Sequence, residues 1–401
     1  MRRIILTALS IVAVLFIAAC GGKGSSADPP TDFKAVARDG QVVLSWTMTP
    51  GVDYWLFYGA ASSITPDTVT TTPGGKILIN VVSPLVLSGL ANGTTYAFAI
   101  NGRINSGPGG AGSPSVSATP RLAGAIWNDL TAFGSTDMRG IAFGAVLVAA
   151  GAGGTMFSSA DGTTWTPINF TVATDLNAAY YFGGIYLAAG AGGVVLSSAD
   201  AVTWVAQTTG TSNTLFSLAT NSSNLTAAVG AAGTIITSAN GTSWTSVASG
   251  TTSNLYGVTF GGGRWVAVGA AGTLLTSTDG ATWQAVASNT SADLRSVAFR
   301  TSSSTAGAVI YAAVGANGTL VTSPDGLTWT VQAPITLSTL NGIVFGTQFV
   351  AVGAGGTILT STDGIAWAPQ ASGTTNNLNA IIHPPGSYSV VGSGGLYLSS
   401  R

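Results

Sequence analysis

Glutamate is absent from this 401-residue chain, and histidine and cysteine occur once each, as His383 and Cys20. A single cysteine excludes any intramolecular disulfide, and no His/Cys cluster exists that could hold zinc. A Ser-His-Asp site would have to use His383, which stands before Pro384 and Pro385 and reads as a surface-loop residue. The aspartates do not follow calcium-loop spacing, so neither a metal nor a cofactor is expected. Charge is scarce as well: charged residues are 7% of the chain and the net charge is -1. That argues against a nucleic-acid binder, which needs a basic face to neutralise phosphates, and against a disordered polyelectrolyte. Beyond residue 20 no apolar run approaches the roughly 20 residues of a spanning helix.

What is plentiful is glycine, with 55 residues, and it marks out a repeat. Aligned on tryptophan, the repeat reads GTMFSSADGTTW to Trp165, GVVLSSADAVTW to Trp204, GTIITSANGTSW to Trp244, GTLLTSTDGATW to Trp283, GTLVTSPDGLTW to Trp329 and GTILTSTDGIAW to Trp367. The steps are 39, 40, 39, 46 and 38 residues, a period that suits propeller blades or solenoid turns. Each unit holds an apolar run such as 255–260, a second such as 265–268, a third such as 273–276, and then the Trp segment. Four short strands separated by glycine-bearing turns fit a blade.

Glycines at 269–272 and equivalents are expected to supply positive φ between strands two and three. Asp161, Asp279, Asp325 and Asp363, each before glycine, and Asn240 in Asn-Gly read as tight hairpins between strands three and four. Their side chains are expected to accept amides of their own turn. Asp200 precedes alanine, so its turn is expected to be the weakest.

Strand-one openings occur at Met138, Leu176, Leu215, Leu255, Leu294, Leu340 and Leu378, which makes seven. The last unit stops where its fourth strand should start, while Trp127 has no repeat before it. Pairing the Trp127 segment with the final strands closes a ring and removes an exposed edge. The expectation is an all-β chain whose residues 121–401 form a seven-bladed propeller closed by its N-terminal strand.

The S-x-D-G-x-T-W runs resemble Asp-box (BNR) repeats, found in sialidase-like propellers and in propellers similar to photosystem II assembly factors. They are one residue shorter between Asp and Trp than the common sialidase form. The resemblance brings a sialidase-like or other glycan hydrolase forward as the enzymatic alternative. Such enzymes use an arginine cluster, a tyrosine nucleophile paired with glutamate, and an acidic acid/base. This chain has no glutamate, and Asp137, Asp175 and Asp293, which recur just before strand one, read equally as residues that bond their own turns. A non-enzymatic role is therefore expected, with no catalytic residue.

Met1-Arg2-Arg3 followed by the apolar residues 4–19 has the form of a secretory signal. The segment ends Phe16-Ile-Ala-Ala-Cys20, which resembles a bacterial lipobox, and implies cleavage before Cys20 and lipid on that residue. Stable anchoring takes more than one acyl chain. Gly21 after the cysteine resembles outer-membrane sorting in enterobacterial lipoproteins. The alternative is an uncleaved anchor with an incidental cysteine. The resulting division is a signal peptide at 1–19, lipidated Cys20 with a Gly/Ser tether to 29, a domain at 30–120, and the propeller.

Residues 30–120 alternate around Trp46 in Gln41-Val-Val-Leu-Ser-Trp46, carry an aromatic strand at 54–58, and place Leu90 ahead of Tyr96. These landmarks resemble fibronectin type III, with Trp46 as its core tryptophan and Leu90 with Tyr96 as its tyrosine corner. A spacer role is expected, against a dedicated binding module.

The repeats act as internal controls for a binding site. The residue after each strand-one opener varies while its neighbours do not: Arg139, Asn177, Phe216, Tyr256, Arg295, Asn341 and Asn379. A ring of such side chains has the content of a recognition surface, the other reading being hydrated channel lining. The function expected is a monomeric outer-membrane lipoprotein that presents a propeller face to a protein or glycan partner and binds no nucleic acid.

Overall fold

The computed structural model describes residues 24–130, 132–170, 172–300 and 310–400. Cys20, the apolar segment before it and most of the fifth repeat's polar insertion lie outside them. The chain divides into two compact units, Met1–Pro120 and Arg121–Arg401.

In the first unit a five-stranded sheet contains Asp53–Ala60 and Tyr96–Ile104, and a three-stranded sheet contains Lys34–Arg38, Gln41–Ser45 and Leu85–Ser88. Alternation in Gln41–Ser45 sends Val42 and Leu44 inward to meet Leu56, Phe98 and Ile100 from the larger sheet. Trp46 sits edge-on to Tyr54 in that core, with ring centroids 5.8 Å apart. The Tyr96 hydroxyl accepts the Ala91 amide at 3.1 Å and pins the turn that precedes its strand.

The second unit is a β-propeller. Its described residues form seven four-stranded antiparallel sheets. Their innermost strands are Met138–Phe143, Leu176–Phe182, Leu215–Thr220, Leu255–Gly261, Leu294–Phe299, Leu340–Phe345 and Leu378–Ile382. Each innermost strand packs beside the next, and the last packs beside the first. The second strands, such as Phe349–Gly353, are buried throughout, apart from the first residues Ile185 and Arg264 of two of them, because neighbouring sheets cover both of their faces. They therefore read as mainly apolar runs without alternation.

The turn between strands two and three has the expected positive φ at Gly272 and its equivalents but not at Gly269. Gly269 is extended, at φ -164°, while Ala271 (φ 49°) and Gly272 (φ 71°) are left-handed. Gly269 is required for space, since a Cβ there would run into the Asn254 carbonyl oxygen. At the position of Ala271 the other turns carry Gly153, Gly192, Gly355, Gly394 or Asn317, and a second alanine, Ala232, at φ 51°. Both alanines are exposed and carry a left-handed penalty that glycine avoids. Ala232→Gly and Ala271→Gly are each expected to stabilise the unit by about 1 kcal/mol, read as a raised urea midpoint. An unchanged or lowered midpoint would contradict the assignment.

Strands three and four are not joined by two-residue hairpins. Strand three of the fourth sheet, Leu274–Ser277, is followed by a loop at 278–283 before strand four, Gln284–Ala285. The loop is organised by Asp279, whose Oδ1 accepts the amides of Ala281 and Thr282, both at 2.8 Å, and the Ser277 hydroxyl at 2.9 Å. The Gly280 amide donates to Ser277 Oγ, and the Trp283 indole donates to the Gly280 carbonyl. Trp283 thus lies before strand four, turned into the core beside Trp265. Asp161, Asp200, Asn240, Asp325 and Asp363 hold equivalent loops. At Asp200, Oδ1 accepts Val202 and Thr203 at 2.8 and 2.7 Å as in the other loops, but Ala201 is held at φ 61°, which glycine adopts without strain, and the amide-to-serine bond that Gly280 and its equivalents give is not made there.

These bonds favour the carboxylate. The amides of Thr282 and Ala281 and the Ser277 hydroxyl bring Asp279 down to about 2. The amides of Thr203 and Val202 hold Asp200 well below the usual range, and that of Thr164 does the same for Asp161. A lowered folded-state value means the unfolded chain takes up the proton first as pH falls. The stabilisation is complete above about pH 4 and is lost as pH drops toward the folded-state values. The urea midpoint should be level from pH 7 to about 4.5 and fall below that, more steeply in Asn240→Asp, which adds one more such carboxylate. A midpoint that stays level below about pH 4.5 would refute the assignment.

One loop of this type is split between the ends of the unit. The seventh sheet takes its outer strand, Asn128–Asp129, from the N-terminal side, paired with Tyr397–Ser400. The Gly124 amide donates to Ser400 Oγ at 2.7 Å, and the Trp127 indole donates to the Gly124 carbonyl at 2.9 Å. Gly124, at φ 93°, and Trp127 therefore stand where Gly280 and Trp283 stand, with the serine supplied from the far end of the unit.

Candidate functional site

The residues after the strand-one openers share a backbone defect. In every one of the seven sheets the register between the first two strands shifts at that position: between Met138 and Gly140, Leu176 and Ala178, Leu215 and Ser217, and so on to Leu378 and Ala380. Each residue is thus the extra member of a β-bulge, a device that re-aims a side chain out of the ladder. Arg139, Asn177, Phe216, Tyr256, Arg295, Asn341 and Asn379 all line one open cavity of about 560 Å³ at the axis, where the innermost strands begin. A second cavity of about 300 Å³ shares the ring and continues along the innermost strands.

The ring is partly occupied by its own hydrogen bonds. Asn177, Asn341 and Asn379 each donate Nδ2 to the opener carbonyl of the next sheet: Leu215 at 3.1 Å, Leu378 at 3.0 Å and Met138 at 2.8 Å. Arg139 donates to Asp175 Oδ2 at 2.6 Å and to Asn177 Oδ1 at 3.3 Å. The Gly153 amide and the Arg139 guanidinium hold the Asp175 carboxyl below its usual range. Arg295 donates to Asn341 Oδ1 at 3.2 Å. Arg139 and Asp175 form an ion pair. Phe216 and Tyr256 sit side by side, with centroids 5.5 Å apart at an interplanar angle of 58°.

The aspartates ahead of strand one do not bond their own turns. Asp175 Oδ1 accepts the Gly153 amide, Asp293 Oδ1 that of Ala271, and Asp137 Oδ1 that of Gly394, each 2.8 Å away in the preceding sheet. Asn254 and Asn377 do the same with Ala232 and Gly355. These side chains tie sheet to sheet, and Asp137 ties the last to the first. Their recurrence immediately before the openers is the available signal, but the sequence does not name the partner. Asp137, Thr339, Asn377 and Ser393 also line the cavity, which comparison of the ring position alone does not reveal. His383 is half-buried, its ring 4.6 Å from that of Tyr388, and is not a free surface residue. The channel tyrosine Tyr180 is pushed up by burial, and its hydroxyl accepts the Thr220 amide at 3.1 Å. Among the described residues no group of three or more His, Cys or acidic side chains could hold a metal.

No family model and no curated protein matches the chain. Solved structures do. YCF48 from Cyanidioschyzon merolae aligns with a TM-score of 0.56 at 19% identity, covering 69% of this chain and 99% of that one. A YCF48 bound to D1 peptide aligns with a TM-score of 0.57 at 16% identity, covering 69% and 97%. The WD40 β-propeller domain of Doa1 aligns with a TM-score of 0.54 at 12% identity, covering 70% and 96%. At such identities the property this chain shares with them is the β-propeller fold.

Proposed function

We propose that the protein is a non-enzymatic binding scaffold of the bacterial cell envelope. In this reading Cys20 carries lipid at the outer membrane, the fibronectin type III-like unit is a spacer, and a seven-bladed propeller presents its bulge-lined mouth to a protein partner. The observation that carries it is the convergence on one cavity of seven bulged residues that differ in chemical class from sheet to sheet, between an apolar opener and a small residue in every case. The YCF48 structure with a D1 peptide supports it, as a propeller of similar fold that holds a peptide. Trp46 in the core and the Tyr96 bond to Ala91 support the fibronectin-like assignment. The apolar segment before Cys20 supports the anchor.

Affinity capture from native membranes, comparing wild type with Arg295→Ala, tests the role of the mouth. The variant is expected to lose most of the partner recovered by wild type, in quantitative mass spectrometry. Equal recovery by both baits would refute it. Turnover of fluorogenic glycosides that is lost on changing Asp137, Asp175 or Asp293 would favour the glycan hydrolase instead.

A further inference from the structure

The mouth is chemically divided once its internal bonds are subtracted. Arg139 is neutralised by Asp175, and the Oδ1 and Nδ2 atoms of Asn177 and Asn341 are both engaged. Arg295 is exposed and, among the described residues, gives one bond to a neutral oxygen and none to a carboxylate. A guanidinium has five N–H donors, so most of its capacity remains. In the two sheets just before that of Arg295, Phe216 and Tyr256 form the only adjacent aromatic pair at the bulge positions, both half-buried with part of each ring facing the cavity.

From this we infer that the mouth takes an extended peptide segment in which a carboxylate lies within a few residues of an apolar or aromatic side chain. The carboxylate pairs with Arg295, a fork geometry that favours two parallel hydrogen bonds. The apolar side chain lies against Phe216 and Tyr256, whose edges and faces offer large contact area at small entropic cost. A cavity of about 560 Å³ has room for a few residues of chain and not for a folded domain. A glycan fits less well, because hydroxyl recognition needs paired donors and acceptors, and the side-chain amides of Asn177 and Asn341 and the Nδ2 of Asn379 are committed between sheets. The inference rests on the mouth being the recognition site.

The test is selection of a displayed random dodecapeptide library on the full-length chain. Fluorescence anisotropy of the selected peptides then compares wild type, R295Q, F216A and T339W, a residue of the cavity wall chosen to plug it. Thermal melting establishes that each variant is folded. Enriched peptides should pair Asp or Glu with a nearby Phe, Tyr, Leu or Pro. R295Q should weaken them at least about tenfold, while the corresponding acid-to-amide peptides show no further loss in R295Q. F216A should cost a similar factor for the apolar position. Peptides lost in T339W but held within about twofold by R295Q and F216A would overturn this inference and leave the mouth as a binding site. No enrichment, or peptides bound equally by T339W, would overturn both. An acidic glycan captured by wild type and lost in R295Q would replace the peptide as the ligand.

Discussion

Trp127→Ala is expected to destabilise the propeller by about 3–5 kcal/mol, the range for emptying a buried tryptophan site. The indole is 9% exposed and belongs to a cluster with Val350, Val352, Val390 and Leu398. It also neighbours Tyr388, with centroids 6.4 Å apart. Its strand pairs with the seventh sheet at Asn128 and Asp129, and the backbone bonds continue from Leu130 to the Tyr397 carbonyl and from Ala132 and Phe133 to that of Gly395, so the indole is the main apolar anchor on the Asn128 side. Without the side chain the outer strand should detach and expose the Tyr397–Ser400 edge, which invites intermolecular pairing. The readouts are the denaturant midpoint and light scattering on heating. Ser400→Ala removes only the acceptor of the Gly124 amide and should cost about 1 kcal/mol. A loss below about 1 kcal/mol in Trp127→Ala would mean the ring is not held shut by this strand.

Gly140→Val is expected to cost about 3 kcal/mol or more, through overpacking at the axis. The residue after each bulge is small in every sheet: Gly140, Ala178, Ser217, Gly257, Ser296, Gly342 and Ala380. The cause is the convergence of innermost strands. A Cβ on Gly140 would enter the backbone of Ala178 and Ala179 in the next sheet, and one on Gly257 would come within 3.0 Å of the Arg295 carbonyl oxygen. Backbone cannot step aside as a flexible side chain can. Gly153→Ala is the control: Gly153 has φ 62° and a Cβ added to it would meet nothing within 4 Å, so only a conformational penalty of about 1 kcal/mol applies. Similar losses in the two variants, measured by urea unfolding, would refute strand convergence as the reason for the small residues.

Much of the propeller is legible as a repeat. The Gly-Thr run, the box aspartate and the tryptophan recur because each unit meets the same local steric and hydrogen-bonding needs. Asp279 illustrates this: its partners lie within three residues, so its role can be read from spacing alone. The tight hairpin expected at the same place is a six-residue loop at 278–283, because an aspartate that accepts two successive amides builds a longer connection with the tryptophan before the strand. The role of Gly269 escapes the sequence for a related reason, since the atom it must avoid belongs to Asn254, which the repeat does not place beside it.

The candidate site is legible in membership and not in chemistry. Variation at one position singles out Arg139 through Asn379, yet a bulge is a mismatch between two strands and has no signature in either alone. The pairing of Arg139 with Asp175, 36 residues on, removes one of the two ring arginines from ligand binding, and no motif announces it. The same holds for Asp137, which caps the turn at Gly394 across the closure.

By itself the sequence determined the β-rich repeat, its box turns, the position of the variable ring and the orphan Trp127, all properties set within one unit by periodicity, turn stereochemistry and short-range hydrogen bonds. The tertiary structure alone decided which polar groups of the mouth remain available, why the axis admits only small residues, and that Gly124 completes a loop begun at Ser400. These follow from contacts between units, where distance along the chain carries no information and packing assigns each donor its acceptor.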